Sequence, residues 1–108
     1  MAKFDDFVEA ILAGAKEIAK DILRDFEDAA VDDTKAFLNK SEEDLKRWTK
    51  LLALGAITEQ DFSDLIQARS AVADMHSLRQ QGVALATLER FRTRLISLVI
   101  DKTFEMFL

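Results

Sequence analysis

The chain has 108 residues, 49% of them hydrophobic and 32% charged, with a formal net charge of −5. That balance suffices for one core in a single domain, residues 1–108, and excludes a disordered chain. No cysteine, no proline and only three glycines exclude a disulfide framework and thiolate chemistry and leave little to interrupt helices, so an all-α fold is expected.

The acidic balance argues against a nucleic-acid partner, which needs a concentrated basic face. Met1-Ala2-Lys3-Phe4-Asp5-Asp6 carries acids where a secretory signal carries positive charge. The longest apolar runs, Leu51 to Ile57 and Leu95 to Ile100, fall far short of the ~20 residues that span a bilayer. These features predict a soluble cytoplasmic protein of bacterial type.

Residues 4 to about 39 read as one long amphipathic helix. Phe4, Val8, Ile11, Ala15, Ile18, Ile22, Phe26 and Ala29 follow steps of three and four, and Phe37 resumes the series two steps on. Phe7, Leu12, Ala19, Leu23, Ala30 and Leu38 widen this stripe beyond a coiled-coil seam. Asp33 falls where an apolar residue is due, which makes Asp32-Asp33-Thr34 the expected place for a break. Gly14, flanked by Ala13 and Ala15, costs roughly 1 kcal/mol of helix propensity, so a close approach by another helix is its expected use. A straight helix of this length would span ~54 Å, against ~34 Å for a compact domain of this size. Either it bends near Asp33, or it projects and leaves Phe4, Phe7, Ile11 and Leu12 for a partner, most economically a second copy.

Ser41, followed by Glu42-Glu43-Asp44, reads as the N-cap of a short second helix carrying Leu45, Trp48, Leu51 and Leu52. Gly55 ends that helix, because glycine accepts the left-handed conformation past the last turn. Thr58 then reads as an N-cap and Asp61 as its reciprocal partner in a capping box. Ile57 and Phe62 flank the cap as a hydrophobic staple. The third helix is expected to run through Phe62, Leu65, Ile66, Ala68, Val72, Met75 and Leu78. Gly82 either ends it by the same glycine device, with Thr87 capping the next helix, or sits in a kinked continuous helix.

Residues 45–68 resemble the SHOCT motif, a short helix–turn–helix usually found at the C-terminal end of bacterial proteins. Leu45, Leu52, Gly55, Ile57, Thr58, Glu59, Asp61 and Phe62 carry the resemblance, over about a fifth of the chain. The chain continues for some forty residues past the motif and has Ser63-Asp64-Leu65-Ile66 where the motif often has a lysine pair. The resemblance implies an interaction or oligomerisation role.

The last segment, Leu88 to Leu108, is the most apolar. Leu88, Phe91, Leu95, Leu98 and Val99 form one face; Ile96, Ile100, Phe104 and Phe107 form another. A helix apolar nearly all round needs cover nearly all round, a second argument for an oligomer. A strand over Leu95 to Ile100 is the alternative, without an obvious pairing strand.

Residues able to do chemistry are sparse. His76 is the lone histidine, and Val72, Ala73, Arg79 and Gln80 occupy the neighbouring positions on its helical face, so the Glu-x-x-His pattern of a dinuclear bundle site is missing. The acidic run Asp25 to Asp33 lacks the spacing and turn glycine of a calcium loop and reads as a solvated face. Arg90, Arg92 and Arg94 are expected to pair with the acidic first helix rather than bind phosphate. Trp48 reads as core. No nucleophile–base pair and no phosphate-cradling loop is legible.

The expectation is an all-α bundle of three to four helices with a long N-terminal helix, completed by dimerisation. The protein is read as a non-enzymatic interaction protein without cofactor or metal. Its interface would use Phe4, Phe7, Ile11, Leu12, Ile96, Ile100, Phe104 and Phe107, and its helix ends Ser41, Gly55, Thr58, Asp61 and Gly82. The alternatives are a peripheral lipid- or granule-surface binder, and a binder of small hydrophobic ligands lined by Trp48, Phe91, Phe104 and Phe107.

Overall fold

A computed structural model of the chain describes residues 2–69 and 75–108, with only the backbone of residues 2 and 3. Its helices are α1 (Ala2–Ile22), α2 (Glu27–Ala53), α3 (Glu59–Ala68), α4 (His76–Gln80) and α5 (Leu85–Phe107), and a 3-10 turn, Arg24–Phe26, joins the first two. No strand occurs among the described residues, and Leu95 to Ile100 lie within α5. The five described helices exceed the expected three to four because the first and third expected helices each divide, while the second is continuous with the latter part of the first.

The first helix does not break at Asp33. It breaks at Leu23–Phe26, where Arg24 takes a left-handed φ of 52°. The chain then reverses, and Phe4 to Glu9 face Leu38 to Glu42 while Leu12 to Lys16 face Asp28 to Lys35. This fold-back buries the stripes of both helices at once, a tertiary gain that outweighs the roughly 1–2 kcal/mol cost of a left-handed residue with a Cβ. It also resolves the length conflict. α2, with 27 residues, is the longest helix and spans about 40 Å, close to the longest molecular dimension of 42 Å.

α2 passes straight through Ser41, so Ser41 caps no helix. Ala30, Thr34, Phe37, Ser41, Leu45, Trp48 and Leu52 recur at steps of three and four and are all buried. Ser41 is a small polar member of that stripe, and its acidic followers Glu42 and Glu43 simply occupy the solvent face. The buried hydroxyls of Thr34 and Thr103 donate to the carbonyls of Ala30 and Val99, at 2.7 and 2.8 Å, so neither is left unpaired.

α5 runs antiparallel to α1, with Phe107 against Phe7 at one end and Arg94 bonded to Asp21 at the other. Gly14 permits the close approach at mid-length, where Leu98 lies directly over it. Phe62 at the start of α3 meets Phe104 near the end of α5. The shared core contains Phe7, Ile11, Ala15, Phe37, Leu45, Phe62, Ile66, Met75, Leu78, Phe91, Leu95 and Val99.

α3 stops at Ala68, with Arg69 as its C-cap, so the third helix is not continuous to Leu78. Val72 lies outside the described residues. α4 begins after Met75, whose φ is 56°, and ends at Gln80, with Gln81 as its C-cap and Gly82 just beyond. Gly82 has a φ of 81°; its amide donates to the Arg79 carbonyl and that of Val83 to Leu78, the two bonds of a glycine-terminated helix. α5 opens at Leu85 behind Ala84, which supplies no side-chain cap, and Thr87 lies inside its first turn.

Candidate functional site

The turn between α2 and α3 is built by local chemistry. Gly55, at φ 76°, donates its amide to the Leu52 carbonyl at 3.1 Å, and Ala56 donates to Leu51 at 2.9 Å. This pair of bonds satisfies carbonyls that the end of α2 would otherwise leave open. Five residues after the end of α2, Thr58 starts the capping. Its Oγ1 accepts from the Asp61 amide at 3.0 Å, and Asp61 Oδ2 accepts from the Thr58 amide at 3.1 Å. Ile57 is half-buried against the core.

The same end of the bundle receives the C-terminus of α5. Phe62 and Phe104 ring centroids are 6.0 Å apart, and Phe107 meets Phe7 edge-on at 5.5 Å. Phe4 joins Phe7 at 5.6 Å, with Lys46 Nζ 5.2 Å above the Phe4 ring. Two leucines at this end face solvent: Leu54 is 71% exposed and Leu108 is 62% exposed.

The residues expected at an interface separate into two groups. Phe4, Phe7, Ile11 and Ile96 are buried within one chain, Phe7 and Ile11 completely. Phe4, Phe7 and Ile11 are covered because the reversal at Leu23–Phe26 gives the α1 stripe a partner in cis, and Ile96 on α5 is 6% exposed. Leu12, Ile100, Phe104 and Phe107 retain part of their surface. Leu12 lies in a groove of about 470 Å³ between α1 and α2, rimmed by Lys16, Asp28, Asp32 and Lys35. Ile100 lies with Ile96 in a groove of about 380 Å³ between α3 and α5, rimmed by Gln67, Glu89 and Arg92.

No family model, no curated protein and no solved structure matches the chain. Function must therefore be read from the side chains.

Two polar clamps on α2 escaped the sequence reading. The Asp33 carboxylate, on a residue only 5% exposed, accepts the amides of Ser77 at 2.8 Å and Leu78 at 2.9 Å. It thus caps α4 from another helix, where the local N-cap residue Met75 supplies no side-chain bond. Eleven positions along the chain from Asp33, Asp44 accepts an ion pair from Arg69 Nη1 at 3.3 Å. Arg69 Nη2 donates to the Lys40 carbonyl at 3.0 Å and to Ser41 Oγ at 3.3 Å. The signal was present in part: a carboxylate and a serine on a buried stripe require partners.

Among the described residues, no three His, Asp or Glu side chains converge as metal ligands would. His76 is exposed at the first position of α4; Val72 and Ala73, read as sharing its face, lie outside the described residues. Arg94 Nη1 donates to Asp21 on α1 at 2.8 Å, whereas Arg92 pairs with Glu89 on its own helix. Trp48 is buried, with the Arg47 guanidinium 6.0 Å from its ring. No helix among the described residues is long and apolar enough to cross a membrane.

Proposed function

We propose that the chain is a non-enzymatic helical interaction protein that pairs with a second copy of itself, in the cytoplasm, through the end where the α2–α3 turn meets the C-terminus of α5. The observation that carries the reading is the exposure of Leu54 in the α2–α3 turn and of Leu108 after α5, on segments where Ile57, Phe104 and Phe107 are only half-buried. One exposed leucine is ordinary, but apolar side chains gathered at one end of a bundle favour association. The hairpin that presents Leu54 and Ile57 is also the stretch resembling the SHOCT motif, whose implied role is interaction or oligomerisation. Phe104 and Phe107 belong to the interface set expected from sequence. A net charge of −5 supports a protein partner over a nucleic acid or an anionic lipid surface.

Sedimentation velocity across the micromolar range tests the reading. The wild type is expected to sediment as a dimer, and Leu54→Glu with Leu108→Glu as a monomer of unchanged helix content. A wild type that stays monomeric throughout overturns the self-association. A dimer that survives both substitutions overturns the proposed surface.

A further inference from the structure

A groove follows the seam between α1 and α2. Two hollows make it up, one of about 470 Å³ beside Leu12 and Val31 and one of about 260 Å³ beside Val8 and Leu38. Their lining runs from Phe4 to Lys16 on α1 and from Asp28 to Glu42 on α2, at spacings that keep each set on one side of its helix. The hollows therefore lie end to end over about 18 Å, or about three turns of a helix laid along them. The floor is apolar and partly uncovered: Val8, Leu12 and Val31 are half-buried and Ala13 is exposed. The rim is acidic, with Asp5, Glu9, Asp28, Asp32 and Glu42 against only Lys16 and Lys35. Glu42 pairs with Lys46 at 3.5 Å. The other four carboxylates and both rim lysines form no ion pair among the described residues.

We propose that this groove docks an amphipathic helix of another protein, its apolar face on Val8, Leu12 and Val31 and its flanks carrying lysine or arginine. Helix-in-groove recognition takes its affinity from the apolar floor and its choice of partner from the rim. Charge complementarity selects the occupant here. A cationic helix finds carboxylates that the chain itself leaves unpaired, whereas an acidic helix, a nucleic acid or an anionic lipid surface is repelled by them. The charge is also uneven along the groove. Asp5, Glu9 and Glu42 gather at the Phe4 end, and Lys46 offsets only one of them. At the other end Lys16 and Lys35 balance Asp28 and Asp32. The docked helix therefore lies with its more basic end towards Phe4. No lining residue of the groove belongs to the surface proposed for self-association, so the two readings stand or fall separately.

Fluorescence anisotropy on the full chain, with labelled synthetic peptides, tests it. The probe is an amphipathic leucine–lysine helix. Its controls are a leucine–glutamate helix of the same pattern and a leucine–lysine peptide of the same composition ordered so that no apolar face forms. The wild type is expected to bind the probe and neither control. Glu9→Lys with Asp32→Lys reverses the rim, and Ala13→Lys sets a cation on the floor at an exposed position. Each is expected to weaken binding about tenfold or more, with unchanged helix content by circular dichroism. Asp64→Lys with Asp101→Lys makes the same change in net charge on α3 and α5 and is expected to alter binding by less than about threefold. A wild type that does not bind the probe, equal binding of the reordered peptide, or equal losses in the two double variants would overturn the proposal. So would a wild-type dimer that Ala13→Lys alone splits on sedimentation, because a second copy would then fill the groove.

Discussion

Gly14 and Leu98 fix how closely α1 and α5 approach. A Cβ at position 14 would stand 2.8 and 2.9 Å from the two Leu98 methyls. The glycine therefore gives up helix propensity in return for a contact that a side chain would block. In Gly14→Ala, about 1 kcal/mol of propensity opposes the displacement of both methyls. Gly14→Val lacks that compensation and is expected to lower stability by about 1–3 kcal/mol. Leu98→Ala should restore part of the loss. A double-mutant cycle by urea denaturation is expected to show a coupling of at least about 0.5 kcal/mol; additive effects would mean the two residues do not touch.

Ile11 distinguishes a core from an interface. It is fully buried inside one chain, so Ile11→Ala is expected to cost about 2–5 kcal/mol. The shift in urea midpoint should be the same at low and high protein concentration. A loss that grew on dilution would place Ile11 between copies instead.

What the sequence made legible was whatever is decided by neighbours. Gly55, Thr58, Asp61 and Gly82 act on amides and carbonyls within a few residues, and their types alone indicate where helices end. The reversal at Leu23–Phe26 left no such mark, since it contains neither glycine nor proline, and a left-handed arginine is set by packing rather than by local preference. Asp33 and Ser41 were misread for a related reason. Asp33 is held by amides 44 and 45 residues away, and Ser41 by an arginine 28 residues away. Without those partners in view, an acid on an apolar stripe looks like a breaker and a serine before acids looks like a cap. The burial of Phe4, Phe7 and Ile11, three of the eight residues expected at an interface, turns on the same point: once the first helix folds back, they have neighbours in their own chain.

Gly55 tests the turn through its backbone alone, because nothing lies within 4 Å of where a Cβ would stand. Gly55→Ala is therefore expected to cost about 1–2 kcal/mol, the penalty of the left-handed region. Gly55→Asn should cost less, since asparagine tolerates that region. Equal urea midpoints for the two variants would count against a left-handed residue at this position.

Thr58→Ala removes one side of the capping box while leaving Asp61 in place. The expected loss is about 0.5–2 kcal/mol, with Thr58→Ser close to wild type because its hydroxyl can reach the same amide. Thermal unfolding followed by circular dichroism separates the two. A serine variant as unstable as the alanine variant would show that the methyl group, and not the hydrogen bond, holds the start of α3.

Arg69 and Arg94 both bridge helices, yet their removal should differ in size. Arg94 and Asp21 side chains are 49% and 72% exposed, and water competes for such a pair, so Arg94→Ala is expected to cost less than about 1 kcal/mol. Arg69 is 27% exposed and Asp44 26%, and the same guanidinium serves the Lys40 carbonyl and the buried Ser41 hydroxyl. Its Nε is enclosed and has no acceptor among the described residues, which offsets part of that gain. The balance puts Arg69→Ala at about 1–2 kcal/mol, since hydrogen bonds to a charged group outweigh an exposed ion pair. Added salt should erode the Arg94 contribution and leave most of the Arg69 contribution intact. Urea titrations of both variants at low and high ionic strength decide the matter; equal salt sensitivity would mean that Arg69 acts as a surface charge and not as the clamp joining α3 to α2.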